Sequence, residues 1–435
     1  MKLLYALIPK SIRNLRHLFY AWWGARRFNQ PANELLVIGV TGTSGKSSTI
    51  YFLRQLLESA GLIVGALSTI EFVVASQIKL NDKKMTMLGK MEIQKYLRAM
   101  VDAHCDVALI ETTSEGAVQY RHRFVNYDII LVTNFYPEHL ESHGSFENYK
   151  QAKLDILQYV ADSKRKKIKN PRLWSKKKYF PKTAIVNGQS QFVDEFLSFP
   201  FDKKVKVLCN QANATADCLS FSYLGLHYKA KLPGKHNIQN VALSVATALQ
   251  LGIPEASVQV ATNRLSAPPG RIEFISEAEA FGFRLIVDYA FEPKAIAALY
   301  EVVKQLKPKK IIHVFGSTGG GRDVQRRFTV GQLVGKQADI CIITDEDPYD
   351  DDPMSIINDV TSAVEKTGKI LGQTLFKILS RSEAIQKAIT FAQAGDVVLI
   401  TGKGSEQRMV VKGKMIPWDD REIARAKLTD RGYEK

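Results

Sequence analysis

Short apolar runs recur along the chain, each followed by a polar or glycine-rich turn and then by a stretch of helical periodicity. Glu34-Leu-Leu-Val-Ile-Gly-Val40 reads as a buried strand, and the amphipathic pattern running through Leu57 as the helix behind it. Val107–Ile110, Ile129–Val132, Arg284–Asp288, Lys310–Phe315, Ile340–Thr344 and Asp396–Thr401 read as further strands. Helical patterns follow Phe146, Pro293, Pro353 and Ser382. Strands alternating with helices predict a doubly wound α/β plan. Pro268-Pro-Gly270 marks a break, so we expect a central domain over 35–270, a Rossmann-like domain over 271–435, and a basic amphipathic segment over 1–34.

That first segment carries Lys2, Lys10, Arg13, Arg16, Arg26 and Arg27, and no acid before Glu34. Ile12, Leu15, Phe19 and Trp22 recur at helical spacing, with Ser11 as a start cap and Gly24 as a stop. Charges interrupt every apolar run and no small-residue cleavage site follows, so a signal peptide is not expected. Two readings stay open. One is a helix docked on the next domain. The other is peripheral contact of residues 1–30 with an anionic membrane, Trp22 and Trp23 serving as anchors.

Composition narrows the class. The 435 residues are 45% hydrophobic and 24% charged, an ordinary globular mixture that excludes disordered, collagen-like and disulfide-scaffold chains. The net charge of +16 favours anionic partners. Cys105, Cys209, Cys218 and Cys341 are scattered, without zinc-ribbon spacing, and fit a reducing cytoplasm. A second basic stretch, Lys164 to Lys182, reads as a solvated surface loop or a phosphate- or membrane-facing patch. Only Trp174 and Tyr179 could stack on bases, so no nucleic acid is expected.

The chemistry concentrates after the first strand. Gly42, Thr43, Ser44, Gly45, Lys46, Ser47 and Ser48 form a strand–glycine loop–helix of phosphate-binding type. Glycines let backbone N–H groups face a phosphate, and the helix start adds partial positive charge. Lys46 would reach the β- and γ-phosphates of ATP, and Ser47 would bind Mg²⁺. Val40 stands where the generic pattern has its first glycine. Glu111 and His139 lie just past strand ends, where open α/β sheets bind ligands, and are candidate metal ligands.

The ordered motifs resemble the Mur ligases, the ATP-dependent amide-forming enzymes of peptidoglycan synthesis, and most closely their MurE branch. They are Thr41-Gly-Thr-Ser-Gly-Lys-Ser47, Glu111-Thr-Thr-Ser-Glu-Gly116 with Arg121, Thr133-Asn134 through Glu138-His-Leu-Glu141 and His143, and Tyr149 with Lys153. Leu232-Pro-Gly-Lys-His-Asn-Ile-Gln-Asn240, Pro269-Gly-Arg-Ile-Glu273, Val287-Asp-Tyr-Ala290, Gly320-Gly-Arg-Asp323, Asp347-Pro348 and Gly402-Lys-Gly404 with Glu406 continue the series. The resemblance implies a P-loop ATPase domain followed by a Rossmann-like ligase domain. It implies Lys46, Glu111, His139 and Lys153 as the catalytic set, with Ser47, Glu111, His139 and Lys153 around the metal and Lys153 carbamylated. Asn240, Arg271 and Asp288 fall where the family contacts adenine or ribose. Thr86, Thr113, Arg121, Arg322, Asp347, Gly402 and Glu406 fall on the substrate side.

The implied reaction adds an amino acid to a muramoyl-peptide carboxylate through an acyl phosphate. The chain departs from the pattern in several places. About 34 residues precede its first strand, in place of the branch's N-terminal UDP-gripping domain, which leaves a UDP-linked and a lipid-linked acceptor both open. Glu115, Phe291 and Ser405 stand where the family has histidines. Glu346-Asp-Pro-Tyr349 stands where diaminopimelate-adding members have Asp-Asn-Pro-Arg. With Asp350 and Asp351 it makes an acidic site, favouring lysine or ornithine over diaminopimelate. The alternatives are a folate-polyglutamate or cyanophycin-type ligase, and a non-catalytic, membrane-docked nucleotide-binding protein. A cytoplasmic location is expected, with peripheral contact at the inner face of the plasma membrane as an open addition.

Overall fold

The computed structural model describes residues 10–136, 144–167, 179–321 and 323–433. An eight-stranded sheet forms the first half. Its strands are β1 (Leu36–Thr41), β2 (Val64–Leu67), β3 (Glu71–Val74), β4 (Gln77–Leu80), β5 (Val107–Glu111), β6 (Ile129–Val132), β7 (Thr183–Asn187) and β8 (Lys203–Val207). They run in the order β4-β3-β2-β5-β1-β6-β7-β8. All pairings are parallel except those of the β2-β3-β4 meander. β1 is wholly buried, and it lies where the chain turns outward to both sides. The carboxyl ends of β1, β5 and β6 therefore open on one crevice, the usual ligand position of such sheets.

Apolar clusters cover both faces of the sheet. Helix Lys46–Ser59 packs against helix His236–Gln250 on one face. A small antiparallel sheet, β9 (Asn210–Ala214), β10 (Leu219–Tyr223) and β11 (Leu226–Ala230), joins that side. The second half is a six-stranded sheet, with β12 (Glu273–Phe274), β13 (Arg284–Asp288), β14 (Ile311–Phe315), β15 (Ile340–Ile343), β16 (Leu375–Lys377) and β17 (Val397–Thr401). Its order is β12-β13-β17-β14-β15-β16, antiparallel only at β12. The α/β plan and its principal strands thus agree with the pattern reading. The β3–β4 hairpin and the small sheet were not read, and β4 and β9 are largely exposed strands that lack a continuous apolar run.

Two local expectations change. Helix Lys10–Arg27 runs three residues past Gly24, which is buried mid-helix rather than ending it. A Cβ there would sit 3.0 Å from Met91 Sδ, so the glycine lets this helix approach helix Lys90–Asp102 closely. The docked reading holds for that face. The solvated reading of the second basic stretch fails at its ends. Lys166 and Lys182 are buried, and their Nζ atoms lie 2.6 and 3.6 Å from the Asp128 carboxylate. Lys166 also donates to the Ala32 and Leu35 carbonyls. Lys169, Arg172, Trp174, Lys176, Lys177 and Lys178 lie outside the described residues.

Candidate functional site

The loop after β1 is shaped by what crowds it. Gly42 and Gly45 have φ of 145° and 78°, which favour glycine. An added Cβ would lie 1.9 Å from Thr133 Oγ1 at Gly42 and 2.3 Å from Asn240 Oδ1 at Gly45. Asn134 clamps the same loop from β6, accepting from Ser44 N at 2.9 Å and donating to Ser44 Oγ at 3.1 Å. Gly45 caps helix Lys46–Ser59, so the helix start faces the loop. Lys46 Nζ folds over it, donating to Gly42 O at 3.1 Å and Thr43 O at 2.9 Å.

Glu111, the last residue of β5, is 2% exposed. Its Oε2 accepts from Ser47 Oγ at 2.9 Å, from Thr69 N at 2.8 Å and from Thr69 Oγ1 at 3.0 Å. A hydroxyl and a carboxylate in contact beside a phosphate loop are the hard oxygen donors that suit Mg²⁺. Lys153, 1% exposed on helix Phe146–Asp162, reaches the loop from the other side, donating to Gly42 O at 2.9 Å. Ser47 and Glu111 are thus together, Lys153 stands across the loop from them, and His139 lies outside the described residues.

A cavity of about 450 Å³ extends from this loop toward the second half. Asn240, Arg271 and Asp288 all line it, with Thr43 through Ser48 and Glu111. The Asp288 carboxylate is tied down by Ile272 N at 2.6 Å and Ala290 N at 2.7 Å. Burial raises its pKa, opposed by the Arg271 guanidinium. Arg271 lies 4.2 Å from the Tyr289 ring centroid, and its Nε is buried without a hydrogen-bond partner. That orphaned donor and the glycine cradle fit a bound nucleotide. Burial also holds the His236 pKa down at about 4, keeping its imidazole neutral at physiological pH.

A second cavity, of about 480 Å³, lies on the other side of Lys46. Both cavities are walled by Lys46, Thr86, Tyr289 and Phe291. Gly42, Lys153, Thr113 and Arg121 line it from the first half, and Asp347, Gly402 and Glu406 from the second. Thr113 accepts from Gly116 N at 3.0 Å, capping a short helix. Arg121 is held by Met87 O and by Gln119 Oε1, the latter at 3.1 Å. Arg322 lies outside the described residues.

The far end of this cavity is a charge cluster. Lys403 Nζ donates to Asp347 Oδ2 at 2.8 Å and to Glu406 Oε2 at 2.5 Å. Lys84, from the loop after β4, crosses the cleft to Asp347 and, at 3.2 Å, to Glu406. Among the described residues these are the ion pairs that join the two halves. Burial and the Lys403 ammonium pull the Lys84 pKa down. Glu346 also lines the cavity, and burial lifts its pKa to about 7. Gly402, at φ 107°, leaves room for it, since a Cβ there would lie 2.3 Å from Glu346 Oε2.

The acidic loop is therefore smaller than expected. Glu346 and Asp347 face the cavity. Asp351 instead accepts from Gly320 N at 3.1 Å and lies 3.7 Å from Arg327, and Asp350 is not part of the wall. Thr69 and Lys84 escaped the sequence reading, and Lys403 was read only as part of the Gly402-Lys-Gly404 motif, without a role. A lone threonine or lysine in a loop carries no spacing signal, and only the fold brings each to its carboxylate.

Comparison with known proteins identifies the two domains. The Mur ligase middle domain matches residues 40–248, and the Mur ligase, glutamate ligase domain matches residues 270–404. UDP-N-acetylmuramyl-tripeptide synthetase of Roseiflexus sp. (strain RS-1) is 31% identical over 442 residues, covering 98% of this chain and 84% of the relative. UDP-N-acetylmuramoyl-L-alanyl-D-glutamate--2,6-diaminopimelate ligase of Geobacillus thermodenitrificans is 29% identical over 444 residues, covering 98% and 84%. Among solved structures, folylpolyglutamate synthase of Mycobacterium tuberculosis shares the fold, with a TM-score of 0.65 at 17% identity over 91% of this chain and 96% of that one.

Proposed function

We propose that this chain, which belongs to the Mur ligase family, joins an amino acid to the terminal carboxylate of a muramoyl peptide, with ATP converted to ADP and phosphate. It is an ATP-dependent ligase of peptidoglycan precursor synthesis, like the relatives that carry such names. The observation that carries the finer reading is the wall shared by the two cavities. ATP in the first and a peptide carboxylate in the second would meet at Lys46 and Thr86.

On this reading the carboxylate attacks the γ-phosphate, giving an acyl phosphate and ADP. The neutral amine of the amino acid then attacks the acyl carbon, and phosphate leaves as the amide forms. Lys46 neutralises charge developing on the phosphoryl oxygens, and holding both substrates across the cleft supplies orientation. Ser47 and Glu111, with His139 and Lys153, would hold Mg²⁺, which when bound supplies further charge neutralisation. Lys153 is the proposed carbamylation site, where CO₂ would convert its amine to an anion. Thr113 and Arg121 would grip the muramoyl peptide; Arg322, Asp347, Gly402 and Glu406 would position the amino acid.

The charge balance supports lysine or ornithine as that amino acid. Glu346, Asp347 and Glu406 line one end of the cavity; Lys84 and Lys403 pair with Asp347 and Glu406, which leaves Glu346 as the carboxylate a side-chain ammonium would meet. We place the ATP-binding half at 35–270, the amino-acid half at 271–435 and an appended helix within 1–34. The proposed location is the cytoplasm, where ATP is available.

The test is phosphate release by the purified protein with Mg²⁺-ATP and bicarbonate. UDP-linked and lipid-linked muramoyl dipeptide are each paired with lysine, ornithine or diaminopimelate. We expect release that requires one acceptor and lysine or ornithine, with a matching gain in product mass. Nucleotide binding without release for any pair would overturn the reading.

A further inference from the structure

The N-terminal helix has two unlike faces. Ala21 and Ala25 are buried, and Gly24 seats against Met91. His17 Nδ1 lies 2.9 Å from Lys90 Nζ, and Arg98 Nε donates to Phe28 O at 3.1 Å. These contacts fix helix Lys10–Arg27 on helix Lys90–Asp102. The opposite face is bare. Ile12 is 57% exposed, Leu15 68%, Phe19 52%, Trp22 45% and Trp23 46%.

At about 100° per residue these five side chains and Arg26 fall within an arc of about 100°, with Arg16 and Arg27 at its edge. Five large apolar side chains on one exposed stripe are more than the scattered apolar residues of an ordinary surface. The stripe includes basic groups and no acid, since residues 1–33 contain neither Asp nor Glu. A second basic element adjoins its base. Lys166 is hydrogen bonded to the Ala32 and Leu35 carbonyls, which ties the segment with the exposed Lys164 and Lys167 to the stretch that follows the helix.

We propose that this face docks on an anionic lipid bilayer, with the helix lying in the plane of the interface. Tryptophan and phenylalanine enter the boundary between headgroups and acyl chains, and arginines pair with lipid phosphates. An acid-free face is complementary to a uniformly negative surface, whereas a protein partner presents charges of both signs. No described helix is long and apolar enough to cross a membrane, so the contact is peripheral. The helix is held rigidly by the body before it meets the surface, so little ordering entropy is lost on docking.

The experiment is flotation of the full chain with vesicles of phosphatidylcholine alone and of phosphatidylcholine with one quarter phosphatidylglycerol. We expect binding to the anionic vesicles at least tenfold above that to the neutral ones, weakened by added salt. The triple variant F19S/W22S/W23S should lose at least tenfold in binding. Its side chains are exposed, so its melting temperature should match the parent. A second variant, R16E/R26E/R27E, should lose the preference for anionic vesicles. Equal partition to both vesicle types, or unchanged binding of the triple variant, would overturn the proposal. So would absence of vesicle binding together with self-association that the triple variant abolishes, because the face would then meet a second copy of the chain.

Discussion

Replacing Lys84 by methionine tests the electrostatics of the amino-acid cavity. The change keeps the length and apolar stem of the side chain and deletes one positive charge. The loop that carries Lys84 is braced by Asn81, whose Nδ2 donates to Ser68 O at 2.9 Å and Met85 O at 3.0 Å, so it has its own support. Asp347 and Glu406 would then keep Lys403 as their ion-pair partner. A substrate ammonium about 6 Å from the lost charge, at an effective dielectric of about 20, would escape roughly 3 kcal/mol of repulsion. Solvent in the open cavity screens about half of this, leaving a factor of about ten.

The assay is amino-acid-dependent phosphate release, read as kcat/KM for lysine relative to diaminopimelate, whose side chain carries a carboxylate beside its ammonium. The K84M ratio should rise about tenfold over the parent, with the KM for ATP unchanged, and K84R should keep the parent ratio. A K84M ratio within twofold of the parent would refute the reasoning, because a charge bordering the bound side chain cannot be removed silently.

Three further outcomes follow from the same geometry. Asp128→Ala leaves two buried ammonium groups without their carboxylate and should lower unfolding free energy by about 3–5 kcal/mol in urea titrations at pH 7. Burial, against the pull of Asp128, lowers the Lys182 pKa to about 8; the folded state therefore binds fewer protons than the unfolded state between about 8 and 10.5, this residue's contribution to stability rises with pH across that window, and the D128A defect should shrink at pH 9.5. Gly402→Ala drives a Cβ toward Glu346 in a backbone region L-residues avoid, and should raise the KM for the amino acid at least tenfold while nucleotide affinity, measured by calorimetry, stays constant. Lys46→Met should reduce turnover by about a hundredfold or more with an unchanged melting temperature, since the lost ammonium acts on the phosphoryl group rather than on the core.

What the sequence determined by itself was everything encoded locally. Continuous apolar runs flanked by turns marked β1, β5, β6, β13, β14, β15 and β17, the central strands of the two sheets, because a parallel strand covered on two faces has few polar positions to blur it; β2 and β7, equally buried but shorter in apolar run, were not read. The phosphate loop was legible because its glycines, lysine and serine are neighbours along the chain. Other features depend on groups brought together from far apart. Thr69 meets Glu111 across 42 positions, and Lys84 meets Asp347 across 263. Lys166 and Lys182 looked like surface charges until the sheet placed Asp128 between them. Gly24 looked like a helix stop until a neighbouring helix required its missing side chain. Local periodicity reports which face of an element is apolar. Which face is covered, and by which charge, is a property of the packed chain, and only the tertiary structure decided it.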